Sequence, residues 1–372
     1  MGKTLTEITE QLKNADKKVQ LIYAFNGTGK TRLSREFKQL IAPKGEGDEA
    51  PSSALADKKI LYYSAFTEDL FYWDNDLARD SEPKLKIHPN VFTKWVLEEQ
   101  GLDQSIIATF QRYTSDKLTP HFSEDYSSVS FSFERGNQQP EPHIKISKGE
   151  ESSFIWSVFN ALLEQVISEL NIPEAGDRST GAFNNLTHVF VDDPVSSLDE
   201  NHLIELAVNL ASLIKSSQSD LNFIVSTHSP LFYNVLFNEL NSKACYMLER
   251  YEDGTFELTV KQGDSNKSFS YHLHLLKTIE QAIADNRVER YHFTLLRNLY
   301  EKTASFLGYP RWAELLPEDK QLYLNRVIQF TSHSTLSNEA VAQPTPAESA
   351  MVKLLLDHLK YNHAFWQPQG VE

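Results

Sequence analysis

The sequence predicts an α/β fold over residues 1–260, built on a phosphate-binding loop, and a mainly α-helical region over residues 261–372. Three observations predict it. Apolar runs of strand length recur in the first part, and three of them break into polar turns: Val19–Tyr23 before Asn26-Gly27-Thr28-Gly29-Lys30-Thr31, Val189–Val191 before Asp192-Asp193, and Asn222–Ser226 before Thr227-His228. Helix-length segments lie between these runs, the alternation expected of an α/β fold. From His272 onward the pattern is helical.

At 372 residues with 40% apolar side chains, the chain is long enough for two domains with real cores. No apolar run approaches the roughly 18 to 20 residues that span a bilayer, and Met1-Gly2-Lys3-Thr4-Leu5 lacks the apolar stretch of a secretory signal. A soluble, cytoplasmic protein with no membrane contact is expected. The single cysteine, Cys245, rules out internal disulfides and a zinc site built from cysteines. A net charge of −15 argues against a nucleic-acid partner for the chain as a whole. The charge is unevenly placed: of 36 Lys and Arg and 51 Asp and Glu, residues 261–372 hold 12 of each, so all of the −15 lies on residues 1–260. The neutral C-terminal third, with six of the twelve histidines, remains able to meet an anion.

Residues 1–18 read as a helical lead-in to the strand Val19–Tyr23. Beyond it, Gly27 and Gly29 let the backbone curl so that successive N–H groups point inward, and a helix over residues 32–40 offers its positive end to the same anion. In such a loop Lys30 reaches the β and γ phosphates of a nucleotide, and the Thr31 hydroxyl sits on Mg2+. Ala24 stands where the full pattern has its first glycine. Residues 42–58, rich in Gly, Pro, Ser and acidic side chains, read as an exposed loop, Ile60–Tyr63 as a buried strand, and the aromatic-rich residues 66–76 as core or interface. A helix is expected over Trp95–Tyr113, and strands over Val129–Phe133 and His143–Ile146.

Ser147-Lys148-Gly149-Glu150 precedes an apolar helix over Phe154–Leu170. A hydroxyl, free N–H groups and a positive dipole end suit either a terminal phosphate or a plain helix cap. Residues 171–186 form a loop, after which the strand Val189–Val191 ends in two carboxylates. A carboxylate at such an edge holds Mg2+, and a neighbour orients an attacking water. Ser197-Leu198-Asp199 leads into a helix over Asn201–Ser216. His228, at the end of the next strand, either contacts a γ phosphate or serves structurally. Strands at 244–248 and 255–260 complete the sheet.

In that order, Ala24 to Thr31, Ser147 to Glu150, Asp192-Asp193, Ser197 to Asp199 and His228 resemble the Walker A loop, signature motif, Walker B strand, D-loop and H-loop of ABC-type ATPases. The resemblance spans residues 15–240 and implies that Asn26, Gly27, Thr28, Gly29, Lys30, Thr31, Ser147, Gly149, Glu150, Asp192, Asp193, Asp199 and His228 hold a nucleotide, with Thr31 and Asp192 on its Mg2+. In that family two protomers pack head to tail, and the signature of one closes over the nucleotide of the other. One set of motifs per chain therefore implies a homodimer or higher homo-oligomer. The chain departs from the pattern at Ala24, at Lys148-Gly149-Glu150 in place of Gly-Gly-Gln, and at Asp193 in place of a catalytic Glu, which suits a slow switch. The Q-loop is expected within residues 64–69, without a convincing glutamine, and the lack of a transmembrane domain excludes transport.

In the C-terminal third, Lys261 to Tyr271 form a polar, turn-rich box containing Asp264. Arg297 and Glu301, four apart, share a helix face, either as an exposed ion pair or as working groups. His333 lies in the hydroxyl-rich turn Thr331-Ser332-His333-Ser334-Thr335. Arg, Glu and His together are the groups needed for metal-independent RNA cleavage. A base takes the ribose 2′-OH proton, an acid protonates the leaving 5′ oxygen, and an arginine stabilises the charged phosphate.

The phosphate loop, the Lys148-Gly149-Glu150-Glu151-Ser152 signature, the box from Gly263 to Tyr271, the Arg297-Asn298-Leu299-Tyr300-Glu301 helix and the His333 turn together resemble the bacterial anticodon nucleases. That resemblance implies an ABC-type NTPase region, residues 1–260, regulating a C-terminal nuclease domain, residues 261–372. It implies Arg297, Glu301 and His333 as catalytic residues without a metal, and Asp264 at a position associated with the modified wobble base. It further implies tRNA-Lys as substrate, cut in the anticodon loop, and a type I DNA restriction-modification complex as silencing partner, released in phage defence. Mg2+ with ATP or GTP, and dTTP as a further candidate, is the implied cofactor. The alternative is a DNA-associated ABC or SMC-like ATPase with a non-catalytic docking module. The interval between Thr31 and Ser147 carries no sustained heptads, which disfavours it.

Overall fold

The computed structural model describes residues 2–15, 17–43, 58–64, 71–74, 82–88, 97–98, 100–136, 141–195, 200–241, 244–251, 253–261, 271–331 and 344–363. The chain divides into two compact units, residues 1–263 and 264–372.

The first unit is a mixed α/β structure on two sheets. The larger has the order β10-β9-β1-β8-β7-β2, formed by β1 (Val19–Tyr23), β2 (Ile60–Ser64), β7 (His188–Asp192), β8 (Asn222–Thr227), β9 (Cys245–Arg250) and β10 (Phe256–Val260). All pairs are parallel except β9 with β10. Strands buried on both faces read as unbroken apolar runs, and Phe223-Ile224-Val225 and Val189-Phe190-Val191 do so. Helices α1 (Leu5–Lys13) and α2 (Lys30–Ile41) share a core with one face of this sheet, where Phe37 packs 5.6 Å from Phe190. Helix α6 (Pro230–Leu240) meets β1 and β8, with Tyr233 at 6.0 Å from Tyr23. It starts where Ser229 caps the Phe232 N–H and Pro230 occupies the first turn.

The smaller sheet is antiparallel, order β3-β4-β6-β5, made by β3 (Phe71–Asp74), β4 (Lys84–Ile87), β5 (Leu118–Phe122) and β6 (Ser128–Phe133). It packs through phenyl rings: Phe154 of α4 (Lys148–Leu170) lies 5.4 to 6.1 Å from Phe131, Phe71, Phe110 and Phe122. Phe110 belongs to α3 (Asp103–Tyr113). Helix α5 (Glu200–Ser216) follows β7.

Two expectations need correction here, and a third is met in part. His143–Ile146 is no strand: His143 is left-handed at φ 55°, and that segment's backbone reaches the sheet through the Ile144 N–H to Phe131 O. Of the helix expected over Trp95–Tyr113, residues 95–96 and 99 lie outside the described residues, and an α-helix runs over Asp103–Tyr113, just past a left-handed Gly101 (φ 60°). The aromatic-rich segment, expected as core or interface, contains strand β3 and supplies Phe71 to the core, while Tyr72 is nearly half exposed. Of the loop expected at 42–58, residues 44–57 lie outside the described residues, as do residues 65–69 of the expected Q-loop.

The described elements of the second unit are helices: α7 (Tyr271–Ala284), α8 (Arg290–Leu307), a 3-10 turn at Trp312–Leu315, α9 (Lys320–Thr331) and α10 (Pro346–Asn362). Ile279, Phe293, Leu296, Val352, Leu355 and Leu359 are fully buried between them. Helix α8 ends at Gly308 in the left-handed region, and α10 begins with a Thr345/Glu348 capping box.

Candidate functional site

The phosphate loop joins β1 to α2. Gly27 (φ 81°) and Gly29 (φ 116°) occupy left-handed backbone that a side chain would resist, and a Cβ on Gly29 would also come within 3.2 Å of the Phe256 ring. Ala24 is different. It is fully buried, lies outside the left-handed region and donates its N–H to Thr227 O at 3.0 Å, so it extends the sheet and needs no glycine. Helix α2 starts at Gly29 without a side-chain cap or a first-turn acid, which leaves its terminal N–H groups and positive dipole end for an anion.

Lys30 is 7% exposed. Its Nζ donates to Ala24 O (3.2 Å), Phe25 O (3.4 Å) and Asn26 Oδ1 (3.3 Å), and lies 3.5 Å from Asp193 Oδ2. Asp193 follows β7 in a left-handed conformation (φ 51°), tolerated better by Asp than by most residues. His228 Nδ1 sits 2.7 Å from its Oδ2, and the His228 N–H donates to Oδ1 at 3.3 Å. Burial works to raise the Asp193 carboxyl, but the His228 hydrogen bond and the Lys30 charge outweigh it and hold it below its ordinary value.

Asp192, at the end of β7, is 2% exposed and accepts from Ser226 Oγ (2.7 Å) and Ser34 Oγ (3.2 Å). Burial pushes this carboxyl up, against the hydrogen bonds from Ser226, Thr31 and Ser34. The Thr31 hydroxyl lies near enough to Asp192 to oppose that rise, and the two are a hydroxyl and a carboxylate of the hard-oxygen kind that Mg2+ takes. A cleft of about 340 Å³ opens over the loop, lined by Asn26, Gly27, Gly29, Lys30, Thr31, Arg32, Asp193 and Arg250.

At the other expected nucleotide contact, Ser147 caps α4. Its Oγ accepts the Glu150 N–H at 3.3 Å, while Glu150 Oε2 accepts the Ser147 N–H at 2.6 Å. Gly149 lies in the first turn, and Lys148 pairs with the buried Glu151 at 3.0 Å. In this conformation the hydroxyl serves its own helix.

In the second unit, Arg297 Nε donates to Glu301 Oε1 at 2.7 Å on one face of α8, each side chain 37% exposed. The guanidinium stands 6.0 Å from the centroid of the Trp312 ring.

No family model matches the chain. An anticodon nuclease of Escherichia coli is 68% identical to it over 392 aligned positions, covering 99% of each chain. The chain belongs to the anticodon nuclease family. Among solved structures, the SMC head domain from Thermotoga maritima is similar over 67% of this chain and 91% of its own, at 13% identity and a TM-score of 0.31. An SMC head bound to the C-winged helix domain of ScpA is similar over 68% and 92%, at 10% identity and a TM-score of 0.33.

For this member of the anticodon nuclease family, the structure brings Asn26, Gly27, Gly29, Lys30, Thr31 and Asp193 to one cleft, with His228 on Asp193 and Asp192 buried beside it, and pairs Arg297 with Glu301. Ser147, Gly149 and Glu150 stand together at the start of α4. Asp199, Asp264 and His333 lie outside the described residues. Sequence reasoning missed Ser34 and Ser226, which hold Asp192, and Arg250 and Trp312. Only Ser34 had a signal, its place one helical turn after Thr31.

Proposed function

We propose that the chain is an NTP-gated endoribonuclease that cuts tRNA-Lys in its anticodon loop. The 68% identity to an anticodon nuclease over 99% of the chain carries this reading. The Arg297–Glu301 pair supports it, since two exposed groups on one face are accessible to a phosphate.

The nuclease role falls to Arg297, Glu301 and His333. One of Glu301 and His333 removes the ribose 2′-OH proton, and the other protonates the leaving 5′ oxygen. Arg297 neutralises the charge on the pentavalent phosphate, and the ends formed are a 2′,3′-cyclic phosphate and a 5′-OH. Asp264 contributes to recognition of the modified wobble base.

The first unit is the gate. Gly27 to Thr31 and the start of α2 grip the phosphates of ATP, GTP or dTTP, and Thr31 and Asp192 hold its Mg2+. Asp193, oriented by His228, positions water. Two copies close head to tail, with Ser147 and Gly149 of one facing the nucleotide of the other. A type I restriction-modification complex holds the assembly silent until phage infection.

The test incubates purified protein with bulk tRNA, with and without NTP and with EDTA at matched dilution, and sequences the cut ends. Cyclic-phosphate ends within the anticodon loop of one tRNA, insensitive to EDTA when NTP is omitted, are expected; random or 3′-OH ends would overturn the reading. His333→Ala should abolish cleavage and leave nucleotide binding intact, whereas Lys30→Ala should remove nucleotide dependence.

A further inference from the structure

Two arginines line the loop cleft without a role above. Arg32 is the third residue of α2, and Arg250 is the last of β9. Both are exposed, and among the described residues neither side chain makes a hydrogen bond, ion pair or ring contact. This is unusual company for an arginine, because the first 260 residues carry the whole −15 charge of the chain and offer carboxylates in excess. A guanidinium with no described partner, at the mouth of an anion cleft, is a ligand group for that anion.

The sheet order says which flank each charge serves. Asp193 and His228 come from the ends of β7 and β8, on one side of β1, while β9 lies on the other side. Tyr23 is level with Met247, so three residues further the two chains reach Asn26 and Arg250. Arg250 therefore stands beside the first residues of the loop, on the flank away from the carboxylate pair.

We propose that Arg250, with Arg32, forms a second anion clamp of the nucleotide site, gripping from the β9 flank the phosphates that are retained in the diphosphate. The inference rests on the nucleotide reading of the loop. It assigns Asp193 to the transferred end, Lys30 to the β and γ phosphates together, and Arg250 to the retained part. Diphosphate and triphosphate should then depend on Arg250 alike.

The test measures binding of Mg-ATP, Mg-GTP, Mg-ADP and Mg-GDP to the full chain by calorimetry. Arg250→Ala should weaken the preferred triphosphate and its diphosphate by similar factors, about tenfold, the scale of one charge-assisted hydrogen bond. Arg250→Lys should recover part of the loss, since the charge returns without the planar fork. Unchanged binding by both variants would overturn the clamp, and so would a loss confined to the triphosphate. Lys30→Ala separates the two failures. If wild type binds none of the four, or binds them equally well without Lys30, the nucleotide reading itself fails; Lys30-dependent binding that ignores Arg250 sinks only the clamp. Thermal melts of Arg250→Ala and Arg250→Gln matching wild type exclude a folding artefact, and the exposed position of Arg250 leads us to expect them.

Discussion

Two adjacent carboxylates at the end of β7 have opposite effects on stability. Asp193 is held below its ordinary 3.8 although burial pulls the other way, because His228 and Lys30 favour its charge. A carboxyl lowered on folding stabilises the native state above about pH 3.8, and that contribution drains away as pH falls through the lower native value. Asp193→Asn should therefore lower the urea midpoint at pH 7, leaving the buried Lys30 without its counter-charge, and the gap to wild type should narrow below pH 4. A gap constant from pH 7 to pH 3 would contradict this account. Asp192 has the reverse sign: burial raises it, so its ionisation above pH 3.8 opposes folding, and Asp192→Asn should raise the melting temperature at pH 7 in metal-free buffer while weakening Mg-nucleotide binding. Both carboxylates were legible in the sequence because an apolar strand ending in acids is a recognisable pattern. Arg250 was not, since an exposed arginine at a strand end has no spacing that distinguishes it from any other. Ala24, a blemish in the motif, is resolved only by its backbone: the position lies outside the left-handed region, so it never required glycine.

At the scale of elements, the start of α4 combines a cap with a candidate phosphate contact. Ser147→Ala removes the hydroxyl that accepts the Glu150 N–H and should cost about 1 kcal/mol, read as a lower denaturant midpoint. Ser147→Asp should restore that stability, because Asp caps as well as Ser does, but it sets a carboxylate where the triphosphate of a second copy would approach. Nucleotide-driven association should fall in Ser147→Asp and survive better in Ser147→Ala; equal behaviour of the two would reduce Ser147 to a cap. From its apolar residues this helix is expected to start at Phe154, where they begin, whereas the chain begins it at the cap. The central parallel strands were legible as continuous apolar runs. The small sheet was largely hidden: β3 and β4 are four residues long with half-exposed faces, and the buried Phe71 of β3 answers to Phe154, some 80 residues further along the chain. Long-range aromatic packing of that kind leaves no local period to read.

At the scale of the whole molecule, one chain carries a single phosphate loop and a single signature segment, so the proposed nucleotide sandwich has to be composite. That makes the dimer testable by complementation. Lys30→Ala disables the loop and Ser147→Asp disables the signature, and each variant alone should stay monomeric in sedimentation with Mg-NTP. Mixed, they should form a heterodimer in which one site carries both lesions and the other carries none. That intact site pairs the Lys30 of the Ser147→Asp chain with the Ser147 of the Lys30→Ala chain. Nucleotide-dependent association should therefore return on mixing, as should nucleotide-dependent control of tRNA cleavage. A site completed within one chain would give no rescue, because every site in the mixture would keep one lesion. Adding His333→Ala to both chains should leave the rescued association unchanged and remove the cleavage, since the loop and signature belong to residues 1–263 and His333 to residues 264–372. Rescue of association that fails to carry nuclease control with it would break the link between gate and nuclease while sparing the dimer.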